Sequence, residues 1–215
     1  MRLNATRYFA FLLLAGASAL HADSQTLPAT AVEQLAFFDG EKKLNSAEAW
    51  SMEGEELVCS GAPRGYLVIA ENVSDFTLSL EWKWEGVEGG NSGILVHALP
   101  GSSGFRTWPS SIEIQLQHGM AGDIYAIGQL PGFSGSGSVF VAPGVPVTRL
   151  DRKTTVDKEV GDWNSIKITS QSGELTVVVN GETVNHITHV HPSQGAIALQ
   201  SEDTPIRFRN IVLDQ

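Results

Sequence analysis

The stretch DFTLSLEWKW, residues 75 to 84, decides the fold class because apolar and polar side chains alternate along it without a break. Every second residue from Phe76 to Trp84 is large and apolar, and polar or charged residues lie between them. Successive side chains of a β-strand point to opposite faces, so this period places one row in a core and the other toward water. We therefore predict a long, half-buried strand.

Shorter segments of the same character fill most of the chain between turn residues. They are SGILVHA (92–98), NSIKITS (164–170), ELTVVVN (174–180), ETVNHIT (182–188), GAIALQS (195–201) and IRFRNIVL (206–213). Asn180 and Gly181 join two of them as a tight hairpin, since both residue types tolerate the positive φ of a type I′ turn. Only residues 45 to 50 suggest a short helix. The pattern predicts an all-β fold, a two-sheet antiparallel sandwich of the jelly-roll type.

The N-terminus has the pattern of a secretory signal peptide over residues 1 to 22. Arg2 and Arg7 precede a short apolar run, and small residues follow it. We predict a flexible, polar lead-in over residues 23 to 34 and a single domain over residues 35 to 215. The mature protein is expected to be exported, to the periplasm or the medium. Cys59 is the only cysteine, so no internal disulfide can form.

The charge balance restricts the classes of partner. The chain has 14 Lys and Arg against 24 Asp and Glu, a formal net charge of −10. Binding to phosphate backbones requires clusters of basic residues, so no nucleic acid partner is expected. No segment approaches the roughly 18 apolar residues of a transmembrane helix, so no membrane span is predicted. The oligomeric state stays open.

Residues 128 to 162 differ from the rest of the chain because they are rich in Gly, Ser and Pro and have no sustained period. A long irregular segment inside a compact domain is usually functional or disordered. We interpret this one as a loop that borders a functional site.

The segment SSIEIQLQHG, residues 111 to 120, places Glu113, Gln115 and Gln117 on one face of a strand, with aliphatic residues between them. An acid and two amides are poor candidates for an apolar core. If the aliphatic row fills the core, the polar row lines a groove. The alternative is a solvated outer face, which antiparallel sheets normally present.

Several motifs resemble the family of 3-keto-disaccharide hydrolases, also described as 3-keto-glucoside lyases and hydratases. The motifs are GGNSGILVH (89–97), IEIQLQHG with GDIYAI (112–127) and the C-terminal QGAIALQSEDTPIRFRNIVL (194–213). The opening segment over residues 35 to 61 is also similar, so the resemblance covers residues 35 to 213. It implies a concanavalin-A-like jelly roll whose concave sheet binds an oligosaccharide or glycoside.

The resemblance also implies a chemistry. A ketone at carbon 3 of a sugar acidifies the hydrogen on carbon 2, so a base can remove it while the anomeric substituent leaves and water adds afterwards. Glu113 is the leading catalytic acid or base, with Glu202 as a second one. His97 and His118 stand where the family usually has an arginine and an acid, and histidines can move protons near neutral pH.

Further polar and aromatic residues are candidates for substrate binding. Asn91 and His97 lie six residues apart, so a regular period of two places both on the groove face. A turn or bulge is the alternative for the glycines around Asn91. The full predicted binding set is Asn91, Trp108, Gln115, Gln117, Asp123, Tyr125, Gln200 and Arg209.

The arginines near the C-terminus have a structural alternative to substrate binding. Arg207 and Arg209 share a strand face, and each guanidinium group can make two parallel hydrogen bonds to a carboxylate or to sugar oxygens. Either residue can instead form an ion pair with Glu202.

Aromatic rings with a polar tip, such as Tyr125, stack on sugars. At their spacing, Trp82, Trp84 and Trp163 are more typical of a core.

The segment HITHVH places His189 and His191 on one side of a strand, as a pair that could hold a transition metal. A structural site needs four ligands, and no companion Cys or acid has the spacing to complete one. No metal site and no cofactor are predicted, and a divalent metal has no further support in the sequence.

Three functions remain in competition. The first is an exported enzyme that cleaves or hydrates 3-keto-glycosides. The second is a non-catalytic carbohydrate-binding module or lectin, because a fold does not dictate a chemistry. The third is a structural or interaction domain of the cell envelope. A retaining glycosidase is not expected from the strand at residues 111 to 118, since it carries one carboxylate and that mechanism needs two.

Overall fold

The computed structural model describes residues 24–27, 32–129, 131–135, 139–141 and 147–215. The predicted signal peptide, residues 1 to 22, lies outside these ranges. The strands of the described chain are β1 (Ser24–Leu27), β2 (Phe37–Asp39), β3 (Lys42–Leu44), β4 (Trp50–Glu53), β5 (Glu56–Cys59), β6 (Gly65–Val73), β7 (Phe76–Trp84), β8 (Gly93–Leu99), β9 (Ser110–Gln115), β10 (Ile124–Ile127), β11 (Gly132–Gly135), β12 (Val139–Val141), β13 (Val147–Leu150), β14 (Asn164–Gln171), β15 (Glu174–Val179), β16 (Glu182–His191), β17 (Gly195–Ser201) and β18 (Ile206–Asp214).

The strands form two antiparallel sheets. The back sheet has the order β11-β16-β15-β14-β7-β18-β5-β4, with β1 also paired to β18. The front sheet has the order β12-β13-β10-β9-β8-β17-β6-β2-β3. Neighbours in space are often distant in sequence, as expected for a jelly roll. The predicted all-β sandwich is confirmed.

The core lies between the sheets and is built from the alternating rows. In β7, Trp82 and Trp84 belong to the buried row, as predicted, and in β9 Ile112 and Ile114 face the same core. Burial of such side chains contributes about 1.5 to 3 kcal/mol each and is the main force that holds the two sheets together. Trp163 does not belong to this core: it lies on the outer face of the back sheet beneath Arg209, whose guanidinium carbon is 4.0 Å from the ring centre.

The short elements agree with the sequence in two places. A 3-10 turn spans Ser46–Glu48, and the side chain of Asn45 caps it by accepting a hydrogen bond from the Ala47 amide at 3.2 Å. Asn180 and Gly181 have φ values of 50° and 88° and connect β15 to β16, as the type I′ prediction requires.

Two segments that the sequence predicted to be irregular contain strands. In the lead-in of residues 23 to 34, the described part is not free: β1 pairs with the end of β18, and Val32 is buried. The segment 128 to 162 contains β11, β12 and β13 rather than one long loop. Among the described residues, no helix is long and apolar enough to cross a membrane.

Candidate functional site

A pocket of about 250 Å³ lies on the face of the front sheet that points away from the back sheet. Its lining combines carboxyl, amide, aromatic and aliphatic side chains. They are Asn91, Phe105, Trp108, Glu113, Gln115, Gln117, Tyr125, Ile127, Val147 and Glu202.

Strand β9 supplies the floor of this pocket. Glu113 and Gln115 are each only 5% exposed, although both point away from the core that Ile112 and Ile114 fill. A solvated outer face would leave these polar groups open to water. The structure therefore supports the groove interpretation of the polar row.

Glycine at position 93 allows the floor to close around the carboxyl group of Glu113. A Cβ atom on Gly93 would lie 2.7 Å from Glu113 Oε1 and 2.6 Å from Gln200 Oε1. Real Cβ contacts are longer than this, so the two side chains occupy the space that any other residue would need. Gln200 is fully buried, and within the described protein neither atom of its amide has a hydrogen-bond partner. The amide therefore lies where it can bond to Glu113.

The surroundings of Glu113 favour its protonated form. The pKa of Glu113 is raised from 4.5 to about 8: burial is the main cause, the charge of Glu202 adds to it, and a hydrogen bond with the Gln200 side chain opposes it. A carboxyl group with such a pKa holds its proton at neutral pH and can donate it, which is the situation of general acids in apolar sites.

Glu202 follows β17 and contributes the second carboxyl group of the pocket. The pKa of Glu202 is also raised, by burial and by the charge of Asp203, although the charge of Arg64 and a hydrogen bond from Asn91 act in the opposite direction. Arg64 Nη1 lies 3.9 Å from Glu202 Oε1, and the same guanidinium pairs with Asp203. Glu113 has no comparable cation, so Glu202 is the carboxyl group better suited to carry a negative charge.

Tyr125 forms the side wall next to Glu113, since the two are directly opposite on β10 and β9. Burial raises the pKa of the Tyr125 hydroxyl, so it remains a neutral donor. The side-chain oxygen Oε1 of Gln115 accepts hydrogen bonds from the backbone amides of Leu116 and Gln117 at 2.9 and 2.8 Å, which leaves the NH₂ group of the same side chain as a donor. Arg149 lies over the Tyr125 ring, 5.8 Å from its centre.

The aromatic wall comes from the loop before β9. Phe105 and Trp108 exchange two backbone hydrogen bonds of 3.0 Å, which closes a tight turn around Arg106. Trp108 is 8% exposed and belongs to a second hydrophobic cluster that includes Ile127. Aromatic faces of this kind stack on the C–H faces of sugar rings and on other flat apolar groups.

The structure does not bring His97 to the pocket, so the predicted common face with Asn91 is wrong. His97 has a φ of 48°, and the register of β8 shifts between Val96 and Leu99. This bulge turns the imidazole toward the back sheet, where Nε2 is 3.0 Å from Ser170 Oγ and the ring packs on Phe76. Burial lowers the pKa of His97 from 6.5 to about 4.

His118 and Arg209 also lie away from the pocket. The side chain of His118 is exposed at the rim, next to Gly89, and does not line the pocket. Arg209 projects from the outer face of the back sheet, where it pairs with Glu81. The alternative of an ion pair between Glu202 and Arg207 is wrong as well, because Arg207 pairs with glutamates of the back sheet.

Asp123 lies behind the wall rather than in it. It is fully buried and pairs with Arg149 at 3.2 Å and Arg152 at 3.0 Å. It therefore supports the wall through Arg149 and does not face a ligand.

The histidines of β16 are not gathered around a common point. His186 bonds to Thr176 Oγ1 at 3.0 Å, and His189 has a φ of 54°, so the strand is irregular between His189 and His191. Among the described residues there is no cluster of three or more His, Cys, Asp or Glu side chains that could hold a metal ion.

Sequence reasoning missed some residues of the pocket and its surroundings. Phe105, Ile127 and Val147 line the pocket, and Arg64 and Arg149 support it. Alternation along β10 places Ile127 on the same face as Tyr125 and could have identified it. The other residues depend on strand pairing, which the sequence pattern does not give.

A family model described as the 3-keto-alpha-glucoside-1,2-lyase-like domain matches residues 33–214. The chain belongs to this family. A search of curated proteins gave no significant match.

Several solved structures with this fold have names that describe action on carbohydrates or binding to them. A putative glycosyl hydrolase from Parabacteroides distasonis is 20% identical, with 82% of this chain and 86% of that chain covered and a TM-score of 0.58. The carbohydrate binding module CBM66 from Bacillus subtilis is 12% identical, with 78% and 92% covered and a TM-score of 0.57. The kappa-carrageenase from Pseudoalteromonas carrageenovora is 10% identical, with 89% and 92% covered and a TM-score of 0.52. Such identities show the fold alone, and the family adds that the protein acts on sugars.

Proposed function

We propose that this protein cleaves or hydrates glycosides whose sugar already has a ketone at carbon 3. The observation that carries the proposal is the pair Glu113 and Glu202 in one open pocket, the first protonated near neutral pH and the second held beside Arg64. Two carboxyl groups in different electrostatic environments, of which only one has a cation beside it, are what an acid and a base require.

The roles follow from the two environments. Glu202, as a carboxylate, takes the hydrogen on carbon 2 as a proton, and the C–H electron pair forms an enolate with the carbonyl at carbon 3. Collapse of the enolate forms the double bond between carbons 1 and 2 and breaks the anomeric C–O bond. The leaving oxygen takes the proton of Glu113.

Hydration reverses these transfers. Glu113, now a carboxylate, takes a proton from water while the hydroxide adds to carbon 1. The proton on Glu202 exchanges with solvent in the open pocket, and Glu202 then delivers a solvent-derived proton to carbon 2. The net reaction is hydrolysis, and both carboxyl groups regain their original states. If product leaves before water adds, the same residues perform only the lyase step.

The amide groups around the carboxyls suit the charge that develops on the oxygen at carbon 3. The side-chain NH₂ group of Gln115 and the hydroxyl of Tyr125 are donors on residues that line the pocket. Preorganised donors that act on a developing oxyanion are commonly worth about 10² to 10³ in rate each.

The test is cleavage in D₂O by the purified protein, with 3-keto-glucosides of both anomers, with and without chelator. Released 3-keto sugar should carry deuterium at carbon 2 at a rate above that of the protein-free control. Glu113→Gln and Glu202→Gln should each lower kcat by about 10²- to 10⁴-fold, the usual contribution of one acid or base. Glu41→Gln, the same change at an exposed position, should retain full activity.

Two other outcomes would contradict the proposal. Cleavage without deuterium at carbon 2 indicates ordinary glycoside hydrolysis by the same carboxyl pair. Saturable binding of glycosides with no product after long incubation favours the non-catalytic carbohydrate-binding module.

Export is a second part of the proposal, and it rests on the signal-like pattern of residues 1 to 22. Expression of the full chain in a bacterium should give a shortened protein in the periplasmic or extracellular fraction. N-terminal sequencing would locate the cleavage site. A full-length product in the cytoplasm would contradict this part alone.

A further inference from the structure

The pocket is divided into a polar end and an apolar end, with Glu113 between them. On one side of Glu113 lie Gln115, the last residue of β9, and Gln117 just after it. Asn91 and Glu202 lie at the same end of the pocket. Asn91 forms a β-bridge with Asp203, the neighbour of Glu202, and the carbonyl oxygen of Gly90 accepts a hydrogen bond from the His118 amide. This end offers only carboxyl and amide groups to a ligand.

The opposite end is apolar and is fixed by strand pairing. Ile127 of β10 lies directly opposite Val147 of β13. Ile127 is two residues along β10 from Tyr125, which lies directly opposite Glu113. Two residues of strand span about 7 Å, so the aliphatic pair lies about one sugar ring away from the acid. Trp108 and Phe105 belong to the same cluster as Ile127 and complete this end.

No lysine or arginine is among the described residues that line the pocket. Two cations lie next to the wall but outside the lining: Arg149 pairs with Asp123 and Asp151, and the exposed Arg106 packs on the Phe105 ring, with its guanidinium carbon 4.9 Å from the ring centre. An anionic group entering the apolar end would lose its water and find no cation within the lining, which is costly. The apolar end therefore suits an uncharged group.

The volume limits the size of that group. Pockets for drug-sized ligands typically enclose about 300 to 1,000 Å³, and this one encloses about 250 Å³. One sugar ring at the polar end and one small ring at the apolar end fill such a space.

We propose that the end formed by Phe105, Trp108, Ile127 and Val147 is a subsite for an uncharged, apolar aglycone, such as an aryl group, rather than for a second sugar. This inference rests on the proposed function in one respect: Glu113, as the acid, marks the position of the glycosidic oxygen between the two ends. A glycoside with an aromatic aglycone then spans the pocket, with its sugar toward Glu202.

The test measures affinity, because leaving-group reactivity would distort a comparison of rates. Calorimetry with unoxidised phenyl and methyl glucosides, in both anomeric forms, should show about tenfold or tighter binding of the phenyl compound, in line with the range for added apolar groups in a pocket. A phenyl glucoside with a para carboxylate and a glucosyl disaccharide should bind more weakly than phenyl glucoside.

Val147→Thr keeps the β-branched shape and adds a hydroxyl group at the apolar end. It should reduce the preference for phenyl over methyl several-fold. Val178→Thr is the matched control, a half-buried strand position on the back sheet, and should leave the preference unchanged. Equal affinity for phenyl and methyl glucosides, tighter binding of the disaccharide, or no effect of Val147→Thr would overturn the subsite.

The outcomes separate this inference from the proposed reaction. A phenyl preference that Val147→Thr reduces supports the subsite even if no 3-keto substrate is turned over. Turnover with deuterium at carbon 2 but no phenyl preference supports the reaction and rejects the subsite.

Discussion

Glu113 and Gly93 are complementary: the carboxyl oxygen of Glu113 lies 2.7 Å from where a Cβ on Gly93 would be. The two residues are on adjacent strands, β9 and β8, and the missing side chain of one makes room for the acid of the other. Gln200 approaches the same point from β17. The position of the acid therefore depends on a glycine that touches no ligand.

Gly93→Ala should reduce activity with little loss of secondary structure. The added methyl group must push away Glu113 or Gln200, and displacement of a catalytic group by about 1 Å can cost about 10² in rate. The measurement is kcat/KM on a 3-keto-glucoside together with circular dichroism. Gly132→Ala is the control, because a Cβ there meets nothing within 4 Å. Equal activity of both variants would show that the close approach does not position the acid.

Glu113→Gln should make the protein more stable at high pH relative to the wild type. The folded-state pKa of Glu113 is about 8, against 4.5 ordinarily. Between these values the folded state holds a proton that the unfolded state lacks, so the contribution of this group is complete below pH 4.5 and is lost as pH rises through 8. The slope is at most about 1.4 kcal/mol per pH unit for one proton.

Urea unfolding of the wild type and Glu113→Gln at pH 5, 6, 7 and 8 measures this difference directly. The contributions of the other titrating groups to the free energy of unfolding are the same in both proteins and cancel in the difference. Glu41→Gln, at an exposed position, should follow the wild type. If Glu113→Gln and wild type keep a constant difference across the range, the carboxyl group is not protonated in the folded state.

The sequence predicted the polar floor of the pocket because a strand has a fixed period of two. Once Ile112 and Ile114 are assigned to the core, Glu113 and Gln115 must point the other way. The same reasoning gave the buried row of β7. Pairing partners were not predictable in this way, since Glu202 and Val147 reach the pocket through contacts that are distant along the chain.

The two-residue alternation of side chains stops predicting their direction where the backbone leaves the β region. His97 has a positive φ. A glycine or asparagine at this position would have indicated a bulge, but the residue is a histidine, so the sequence contains no sign of one. One residue out of phase moves the imidazole from the groove to the core. Arg209 was misplaced for another reason: its strand belongs to the back sheet, and alternation within a strand does not say which sheet contains it.

The stability of the protein should fall in mild acid because of His97. Its folded-state pKa is about 4, against 6.5 ordinarily, so between pH 6.5 and 4 the unfolded state binds a proton that the folded state does not. The contribution of the neutral imidazole is present above pH 6.5 and is lost as pH falls toward 4. His97→Asn, which tolerates a positive φ, should remove this part of the pH dependence in urea unfolding.

The control for this prediction is His118→Asn, because His118 is exposed at the rim. It should show the same acid sensitivity as the wild type. If His97→Asn also retains the wild-type slope between pH 6.5 and 4, the histidine is charged in the folded protein and burial does not hold it neutral.

Asp123→Asn should lower the free energy of unfolding more than Asp151→Asn does. Asp123 is fully buried and neutralises Arg149 and Arg152, whereas the side chain of Asp151 is 44% exposed and contacts only Arg149 among these residues. Removal of one partner from a buried ion pair typically costs about 3 to 5 kcal/mol. Because both arginines are partly exposed, we expect about 3 kcal/mol from urea unfolding for Asp123→Asn and below about 1 kcal/mol for Asp151→Asn. Similar losses for the two variants would mean that solvent, rather than Asp123, compensates the charge of the arginines and that Arg149 is not anchored behind Tyr125.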